Sequence, residues 1–364
     1  MQVPFLELRS TYIELKDEID TAISEAMDSG WYIGGGIVDK FEREFADFCG
    51  VSDCVTVGNG LDALKLALLS YDLSPGDKVL VPSHTFIATW LAVSSIGCVP
   101  VPVDIGCVQY LVNQDDFLNR LGPDIKGVIP VLLYGQSTDY SRLIVECSKR
   151  NIPVIIDAAQ AHGARVNAVT MLNDCTHCWS FYPGKNLGAF GDGGAITSND
   201  SRVIGDCRKL GNYGSSIKYH HETLGVNSRL DPIQCAILSV KLRHLVDWNS
   251  RRRQIAVLYD KYIRSVSTPP RCLEAASHVY HLYVIQSNRR DELREHLLNH
   301  SIGTQIHYPV PVHKQRAYES YSYCSLPNTE RISSHILSLP IGPHMSEDSV
   351  MCVIGAVNSF NDGI

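Results

Sequence analysis

A lysine and an aspartate are the residues of this chain that could do chemistry together. Lys185 lies in the polar, glycine-containing segment 180–188, and Asp157 follows the apolar run 154–156, which predicts a buried strand. A lysine amine can hold an aldehyde cofactor as a Schiff base, and an aspartate can keep a pyridine nitrogen protonated so that the ring accepts electrons. Taken singly, each residue has a simpler interpretation, a solvated loop lysine or a strand-end cap. Taken together, they predict a pyridoxal-phosphate site.

A glycine turn offers a place for the cofactor's phosphate. Residues 58–63 read Gly-Asn-Gly-Leu-Asp-Ala and lie between a predicted strand and a predicted helix. Exposed N–H groups and the positive end of the helix dipole bind anions at such a point. We therefore expect the phosphate at Gly60 and Leu61, with a hydroxyl donor from Ser180.

The same turn fits the dinucleotide pattern G-x-G-x-x-A, so a nicotinamide-dependent oxidoreductase acting on a nucleotide sugar is a rival interpretation. Such a fold uses an acidic residue at the end of the next strand to hold a ribose. Here the next strand ends in Val-Pro-Ser-His at residues 81–84, without that acid. The sequence therefore favours a single phosphate over a dinucleotide.

The chain resembles the DegT/DnrJ-type sugar aminotransferases, a pyridoxal-phosphate family. The resemblance runs in order along nearly the whole sequence. It is carried by residues 29–33, 58–64, 82–89, 157–162, 180–188, 191–195, 227–231 and 306–309. Within the family, the chain is most similar to the enzymes that aminate C3 of nucleotide-linked 3-keto-6-deoxyhexoses.

The resemblance implies further contacts to the cofactor. Phe86 would stack on the pyridine ring, and Gln160 would hydrogen-bond its phenolic oxygen. Asn227 would reach the cofactor phosphate of a neighbouring subunit, which implies a homodimer with shared active sites. His84 stands where relatives often carry asparagine. For His162, a structural role is a simpler interpretation than a catalytic one.

The resemblance also implies where the sugar nucleotide binds. Aromatic faces pack on a pyranose or a base, and cations meet a diphosphate. The substrate-binding residues expected on this basis are Trp31, Tyr32, Tyr182, Lys218, Tyr219, His220, Arg229, His307 and Tyr308. Residues 218–220 and 306–309 resemble the 3-aminotransferase branch more than the 4-aminotransferase branch.

The implied activity is amination of a dTDP-linked 3-keto-6-deoxyhexose, with glutamate as donor, for surface polysaccharide such as lipopolysaccharide O-antigen or for a glycoside. Amination of a dTDP- or UDP-4-keto-6-deoxyhexose remains an alternative, as does a regulator that binds pyridoxal phosphate without turnover. The related dehydration of keto sugars replaces the lysine with a histidine. The presence of Lys185 argues against it.

These side chains must be positioned by alternating strands and helices, a pattern that favours a mainly parallel sheet covered by helices, as in the fold type I pyridoxal-phosphate transferases. Strands are predicted at residues 55–57, 79–81, 99–103, 128–132 and 154–156, and helices at 11–27, 61–69 and 85–96. Ligands bind at the carboxyl ends of strands in such sheets. That is where Gly58, Ser83, Asp157 and Ser180 fall.

Asp231 and Pro232 have the form of an N-cap and a first helical residue, which predicts a long helix to about residue 262. We expect this helix to join a large cofactor-binding domain, residues 1–245, to a small C-terminal α+β domain, residues 246–364. Within the small domain, the pattern predicts a strand at 281–286, a helix at 289–299 and a strand at 303–306.

Composition fits this interpretation. A chain of 364 residues with 45% hydrophobic content can bury a full core, and a net charge of −7 argues against nucleic acid or an anionic membrane as a main partner. Arg251, Arg252 and Arg253 would point to different faces of a helix, so we expect them to be solvated. No signal peptide or membrane span is apparent, and a cytoplasmic protein is expected.

The 12 cysteines are expected to be reduced and mostly buried. Residues 175–178, Cys-Thr-His-Cys, are the place to consider a metal, but no second CxxC pair accompanies them, so no metal is expected. We draw no functional inference from the segment 166–178, where relatives carry a glycine-rich turn.

Overall fold

A central sheet with helices on both faces organises the first two-thirds of the chain. The structure is a computed structural model, and it describes residues 1–106, 110–166, 169–170, 175–267 and 277–360. The strands are β1 (Asp53–Val57), β2 (Lys78–Pro82), β3 (Val99–Val103), β4 (Ile125–Val128), β5 (Ile155–Asp157), β6 (Arg165–Val166), β7 (Val169–Thr170), β8 (Thr176–Ser180), β9 (Gly194–Ser198), β10 (Tyr283–Gln286) and β11 (Ile336–Leu339).

Helices follow most of these strands. They are α1 (Arg9–Glu14), α2 (Lys16–Asp28), α3 (Gly36–Cys49), α4 (Gly60–Ser70), α5 (Ala88–Ser95), α6 (Gln114–Asn119), α7 (Ser141–Lys149), α8 (Ser201–Gly211), α9 (Pro232–Tyr262), α10 (Arg290–Asn299), α11 (Pro327–His335) and α12 (Glu347–Ser359). Short 3₁₀ turns lie at Leu133–Gly135, Val312–Lys314 and Arg316–Tyr321.

The central sheet has the order β3-β2-β4-β5-β8-β9-β1. Two regular ladders, β3-β2-β4 and β1-β9-β8-β5, are joined by parallel bridges from Val128 to Val154 and from Val131 to Asp157. Strand β9 alone among these runs antiparallel to its neighbours β8 and β1. The predicted mainly parallel sheet is therefore confirmed.

Both faces of the sheet are buried, which explains why its strands read as continuous apolar runs. In β2, Leu80 faces a cluster that contains Phe45 and Trp179. Its neighbours Val79 and Val81 point to the opposite face, into a second cluster, as the two-residue period of a strand requires. Because both faces are covered, a ligand can reach the sheet at the ends of its strands.

The long helix α9 begins at Pro232, with Asp231 at the N-cap position, and ends at Tyr262, as predicted. Its C-terminal half packs against β10, β11 and α12 in a third apolar cluster that includes Tyr259. The predicted domain boundary at residue 245 falls within this helix, and the division into two domains stays a prediction.

Several predicted elements differ from the structure, among them the helix expected at 11–27, which is divided at Leu15 into α1 and α2. The strand expected at 303–306 is wrong, because β10 pairs with β11 instead and residues 303–306 contribute an isolated bridge from Gln305 to Ser338. The strand expected at 128–132 ends at Val128, and the helix expected from residue 85 begins at Ala88. Parts of the divergent segment 166–178, residues 167–168 and 171–174, lie outside the described residues.

No helix in the described part of the chain combines the length and the apolar character needed to cross a membrane.

Candidate active site

A cavity of about 790 Å³ lies at the carboxyl ends of β5 and β8 and at the start of α4. Its wall includes Asp157, the last residue of β5, and Ser180, the last residue of β8. Lys185, from the loop after β8, lines the same cavity. The structure thus brings together the lysine and the aspartate that the sequence singled out.

The carboxylate of Asp157 is buried and held in place. Its Oδ2 accepts a hydrogen bond from the Thr89 hydroxyl at 2.8 Å, and its Oδ1 accepts one from the Ala159 amide at 3.2 Å. Burial raises the pKa of this carboxyl group, and the charge of Lys185 and the two hydrogen bonds only partly offset that rise. A fixed carboxylate in a low-dielectric pocket is suited to pairing with a protonated ring nitrogen.

Lys185 is presented by a tight turn. Its amide donates to the Tyr182 carbonyl at 2.8 Å, and the amide of Ala189 closes the loop onto the Phe181 carbonyl at 2.7 Å. Burial lowers the pKa of the Lys185 amine to about 8, opposed by the attraction of Asp157. Near neutral pH, a larger fraction of this amine is therefore unprotonated than of a solvated lysine, and the unprotonated form is the one that attacks an aldehyde.

The start of α4 lies where the phosphate cradle is expected. Asn59 caps the helix by accepting a hydrogen bond from the Asp62 amide at 2.9 Å, while the amides of Gly60 and Leu61, as the first of the helix, have no intrahelical acceptor. A Cβ on Gly60 would lie 2.8 Å from the Ser180 Cβ, so only glycine lets the two segments meet. The residues present therefore fit a phosphate group.

The expected ring contacts also line the cavity. The Phe86 ring is 54% exposed, and its centroid lies 5.6 Å from that of Tyr308. Gln160 is buried, accepts a hydrogen bond from the Tyr134 amide at 2.6 Å and donates to the Tyr308 hydroxyl at 3.3 Å. Both side chains face the space where a pyridine ring would lie.

His84 is part of a hydrogen-bond chain behind this wall. Its Nε2 lies 2.7 Å from the Tyr134 hydroxyl, which in turn donates to the His307 carbonyl. Burial lowers the pKa of His84 to about 4, so the ring is neutral at neutral pH. Since the Tyr134 proton is directed at His307, the Nε2 of His84 is the donor, and the chain links the end of β2 to the 305–308 segment.

His162 does not line the cavity. Its ring packs with centroids 5.3 Å from Trp179 and 5.8 Å from Phe181, and neither ring nitrogen has a hydrogen-bond partner among the described residues. Burial lowers its pKa to about 3. The structure supports the packing role of His162 rather than a catalytic one.

The expected substrate residues fall into two groups. Tyr182, His307 and Tyr308 line the cavity. The remaining ones lie elsewhere on the surface of the chain, several of them strongly exposed, as are Trp31 at 63% and Tyr219 at 81%. This outer group is Trp31, Tyr32, Lys218, Tyr219, His220 and Arg229, and Asn227 is exposed as well. A single chain therefore brings the other expected cofactor residues to one cavity, but neither Asn227 nor the outer group of expected sugar residues.

The expectation that all three arginines at 251–253 are solvated is wrong for Arg252. Arg251 is exposed, but Arg252 is only 6% exposed and lines the cavity. The side chains do point to different faces of α9, and one of those faces is the buried stripe that also contains Trp248, Ile255 and Tyr259. The i, i+4, i+7 spacing of that stripe was the signal that could have identified Arg252.

Two other residues, one behind the cavity wall and one in it, were not singled out from the sequence. Thr89 holds Asp157, and its place in the segment 82–89 was the available signal. His281 lines the cavity and lies with its Nδ1 3.3 Å from the Asn186 Oδ1. No group of three or more His, Cys, Asp or Glu side chains suited to a metal occurs within the residues that the structure describes.

Comparison with known proteins gives a family match over most of the chain. The model of the DegT/DnrJ/EryC1/StrS aminotransferase family matches residues 14–358. The dTDP-3-amino-3,6-dideoxy-alpha-D-galactopyranose transaminase of Aneurinibacillus thermoaerophilus is 45% identical over 361 residues, which cover 98% of this chain and 99% of that protein. The erythromycin biosynthesis sensory transduction protein EryC1 of Saccharopolyspora erythraea is 43% identical over 364 residues, 99% of this chain and 100% of that protein.

The fold is shared with solved structures. The crystal structure of Streptomyces venezuelae DesV in complex with a ketimine intermediate superposes with a TM-score of 0.96 at 42% identity, covering 98% of each chain. The cavity described above thus lies in a fold that, in a similar protein, holds a ketimine intermediate.

Proposed function

The chain belongs to the DegT/DnrJ/EryC1/StrS aminotransferase family, whose members depend on pyridoxal phosphate, and from this premise we propose that it transfers an amino group from glutamate to C3 of a dTDP-linked 3-keto-6-deoxyhexose. The product would be the corresponding 3-amino-3,6-dideoxyhexose. The observation that carries the transamination is the placement of Lys185 and Asp157 on one cavity wall, beside the start of α4. The choice of sugar is supported by the 45% identity to the Aneurinibacillus transaminase.

The residues that would hold the cofactor have separate tasks. The amides of Gly60 and Leu61 and the Ser180 hydroxyl would bind the phosphate. Asp157, held by Thr89, would face the ring nitrogen, and Phe86 would pack on the ring. When bound, pyridoxal phosphate supplies an electron sink that stabilises a carbanion next to the transferred nitrogen.

Lys185 would act both as the covalent tether and as the general base. In the first half of the reaction its Nζ would take a proton from the donor Cα, and in the second half it would deliver a proton to C3 of the sugar. Burial that lowers its pKa to about 8 suits both directions of transfer, because each protonation state is populated near neutral pH.

We further propose that the working unit is a homodimer with shared sites. The outer group of expected substrate residues lies away from the cavity of its own chain, and exposed apolar side chains accompany it, among them Leu224 at 95% and Ile217 at 66% exposure. Large exposed apolar side chains of this kind favour burial against another protein surface. In a homodimer, Asn227 and the 218–220 segment would complete the site of the other subunit.

A regulatory function is the second candidate, because the Saccharopolyspora relative is named a sensory transduction protein. Such a protein would bind pyridoxal phosphate without completing both halves of the reaction. The presence of both Lys185 and Asp157 in one cavity supports the enzyme.

The experiment that tests the function is product analysis. Purified protein is incubated with pyridoxal phosphate, glutamate and either a dTDP-3-keto-6-deoxyhexose or a dTDP-4-keto-6-deoxyhexose, and the product is identified by mass spectrometry and NMR. We expect amination of the 3-keto sugar, and Asp157→Asn should abolish it while the protein stays folded. Amination of the 4-keto sugar instead would overturn the assignment of the reaction to C3. Cofactor binding without amination of either sugar would favour the regulatory function.

A further inference from the structure

Arg252 is a buried cation in the wall of the cavity that the reaction scheme above does not use. We propose that its guanidinium group binds a carboxylate of the amino acid donor. The inference rests on the proposed function, because only a transaminase needs an amino acid in this cavity.

The guanidinium group is fixed on one side by backbone carbonyls. Its Nη1 donates to the carbonyl oxygens of Ile341 at 3.0 Å and Tyr280 at 3.2 Å. These contacts hold the planar group against two loops next to the cavity. The remaining N–H groups, on Nη2 and Nε, belong to a side chain that lines the cavity.

The charge of Arg252 has no counter-ion in the described part of the chain. Its neighbour Arg251 pairs with Glu14 at 2.9 Å, whereas no ion pair involves Arg252, and burial without an opposing carboxylate lowers its pKa to about 10. A buried charge that only meets neutral carbonyls is destabilising unless a ligand completes it. The planar fork of a guanidinium group matches a carboxylate with two parallel hydrogen bonds.

Two histidines that line the cavity are neutral. Burial, with the charges of Lys185 and Arg252, lowers the pKa of His281 well below its usual range, and burial lowers that of His307 to about 4. Both rings are therefore uncharged at neutral pH. The carboxylates in the cavity wall are those of Asp157, which is already held by Thr89, and Asp192, and neither forms an ion pair with Arg252 in the described structure. An anionic ligand would complement this wall.

The location of Arg252 indicates which anionic group of the reaction it would bind. The cofactor phosphate is accounted for at the start of α4 and at Ser180. Arg252 instead lies with Lys185, Gly184 and Phe5, which line both this cavity and a smaller one of about 210 Å³ beside the N-terminal segment. The cations expected to meet the sugar's diphosphate, Lys218 and Arg229, do not line the cavity of this chain. A carboxylate held beside Lys185 belongs to the donor, whose Cα must be near that amine.

Glutarate is a suitable probe, because it carries the two carboxylates of glutamate but no amine and so cannot react. Binding of glutarate to the cofactor-loaded protein is measured by titration calorimetry for the wild type, Arg252→Gln, Arg252→Lys and the matched control Arg251→Gln. We expect the Kd to rise by about tenfold or more in Arg252→Gln, by less in Arg252→Lys, and to stay at the wild-type value in Arg251→Gln, with the visible absorbance of the bound cofactor intact in all four.

The two halves of the reaction give a second readout. The glutamate concentration for half-maximal bleaching should rise in Arg252→Gln, while the return of absorbance on adding keto sugar to amine-loaded protein should be unaffected.

If Arg252→Gln lowers the melting temperature but binds glutarate as tightly as the wild type, Arg252 is only a structural link to residues 280 and 341 and the inference is overturned. Wild-type protein that glutamate does not bleach would count against the proposed function instead, and the glutarate titration would still decide the role of Arg252. If Arg252→Gln does not fold, undiminished glutarate binding by Arg252→Lys together with an unchanged glutamate requirement overturns the inference.

Discussion

Gly60 and Ser180 are in such close contact that a methyl group on Gly60 would lie 2.8 Å from the Ser180 Cβ. The start of α4 and the end of β8 are therefore fixed relative to each other at the point where both would bind the phosphate. We predict that Gly60→Ala separates the two segments and weakens pyridoxal-phosphate binding by about tenfold or more. Titration of the cofactor-free protein, followed by absorbance, measures this change.

Gly205→Ala is the matched control for that substitution. Gly205 is an exposed position in α8, and a Cβ there would meet no atom within 4 Å. Alanine in an exposed helix should stabilise the fold by up to about 1 kcal/mol and leave cofactor affinity unchanged. Equal cofactor affinity in Gly60→Ala and wild type would contradict the phosphate site at this turn.

The rate of cofactor capture should depend on pH through Lys185. Only the unprotonated amine attacks the aldehyde, and burial lowers the pKa of this amine from 10.5 to about 8. The capture rate should therefore rise with pH and level off above a midpoint near pH 8. Stopped-flow absorbance tests this between roughly pH 6.5 and 9.5, a range centred on that pKa. A rate that keeps rising to the top of this range would show that Lys185 is not desolvated.

His84→Asn should loosen the 305–308 segment. Asparagine is too short to reach the Tyr134 hydroxyl, which would lose the donor that now lies 2.7 Å away. The hydroxyl keeps its bond to the His307 carbonyl, so the loss of one buried hydrogen bond should cost about 0.5–1.5 kcal/mol, measurable as a lower free energy of unfolding in urea. The double mutant with Tyr134→Phe should be less destabilised than the sum of the single mutants, because both remove one interaction. Strict additivity would argue against the link.

Shared sites predict complementation between two damaged subunits. Lys185→Ala removes the tether from its own chain, and Asn227→Ala would remove the phosphate contact that we propose is donated to the neighbour. After subunit exchange, mixed dimers should contain one intact site each, so an equal mixture should reach roughly a quarter of wild-type activity. Light scattering of the active protein gives an independent check, and an active monomer would contradict the proposal.

Local signals predicted the elements that carry the cofactor site. The Asp231-Pro232 pair predicted the start of α9, and the apolar run 154–156 predicted the strand that delivers Asp157. These predictions held because the strands are buried on both faces and the helix start has a specific residue type. Long-range pairing was harder to predict, since β10 finds its partner in β11 rather than at residues 303–306.

The site itself was only partly predictable. The residues that line the cavity from one chain, such as Lys185 and Asp157, follow strand ends and were found. Arg252 was missed because a triplet of arginines normally indicates solvent exposure, and its burial depends on two loops distant in sequence, which supply the Ile341 and Tyr280 carbonyls. The chain of His84, Tyr134 and His307 joins residues far apart in sequence, which no local pattern could show.

The measurement that tests the central claim most directly is an absorption spectrum of the protein with pyridoxal phosphate, recorded before and after glutamate and again after a dTDP-3-keto-6-deoxyhexose. We predict a visible band that glutamate bleaches and the keto sugar restores. Lys185→Ala should keep the fold but lose the covalent band and turnover, whereas Lys261→Ala, at an exposed position on α9, should behave as the wild type. Normal turnover in Lys185→Ala, or a wild-type band that glutamate leaves unchanged, would contradict the account.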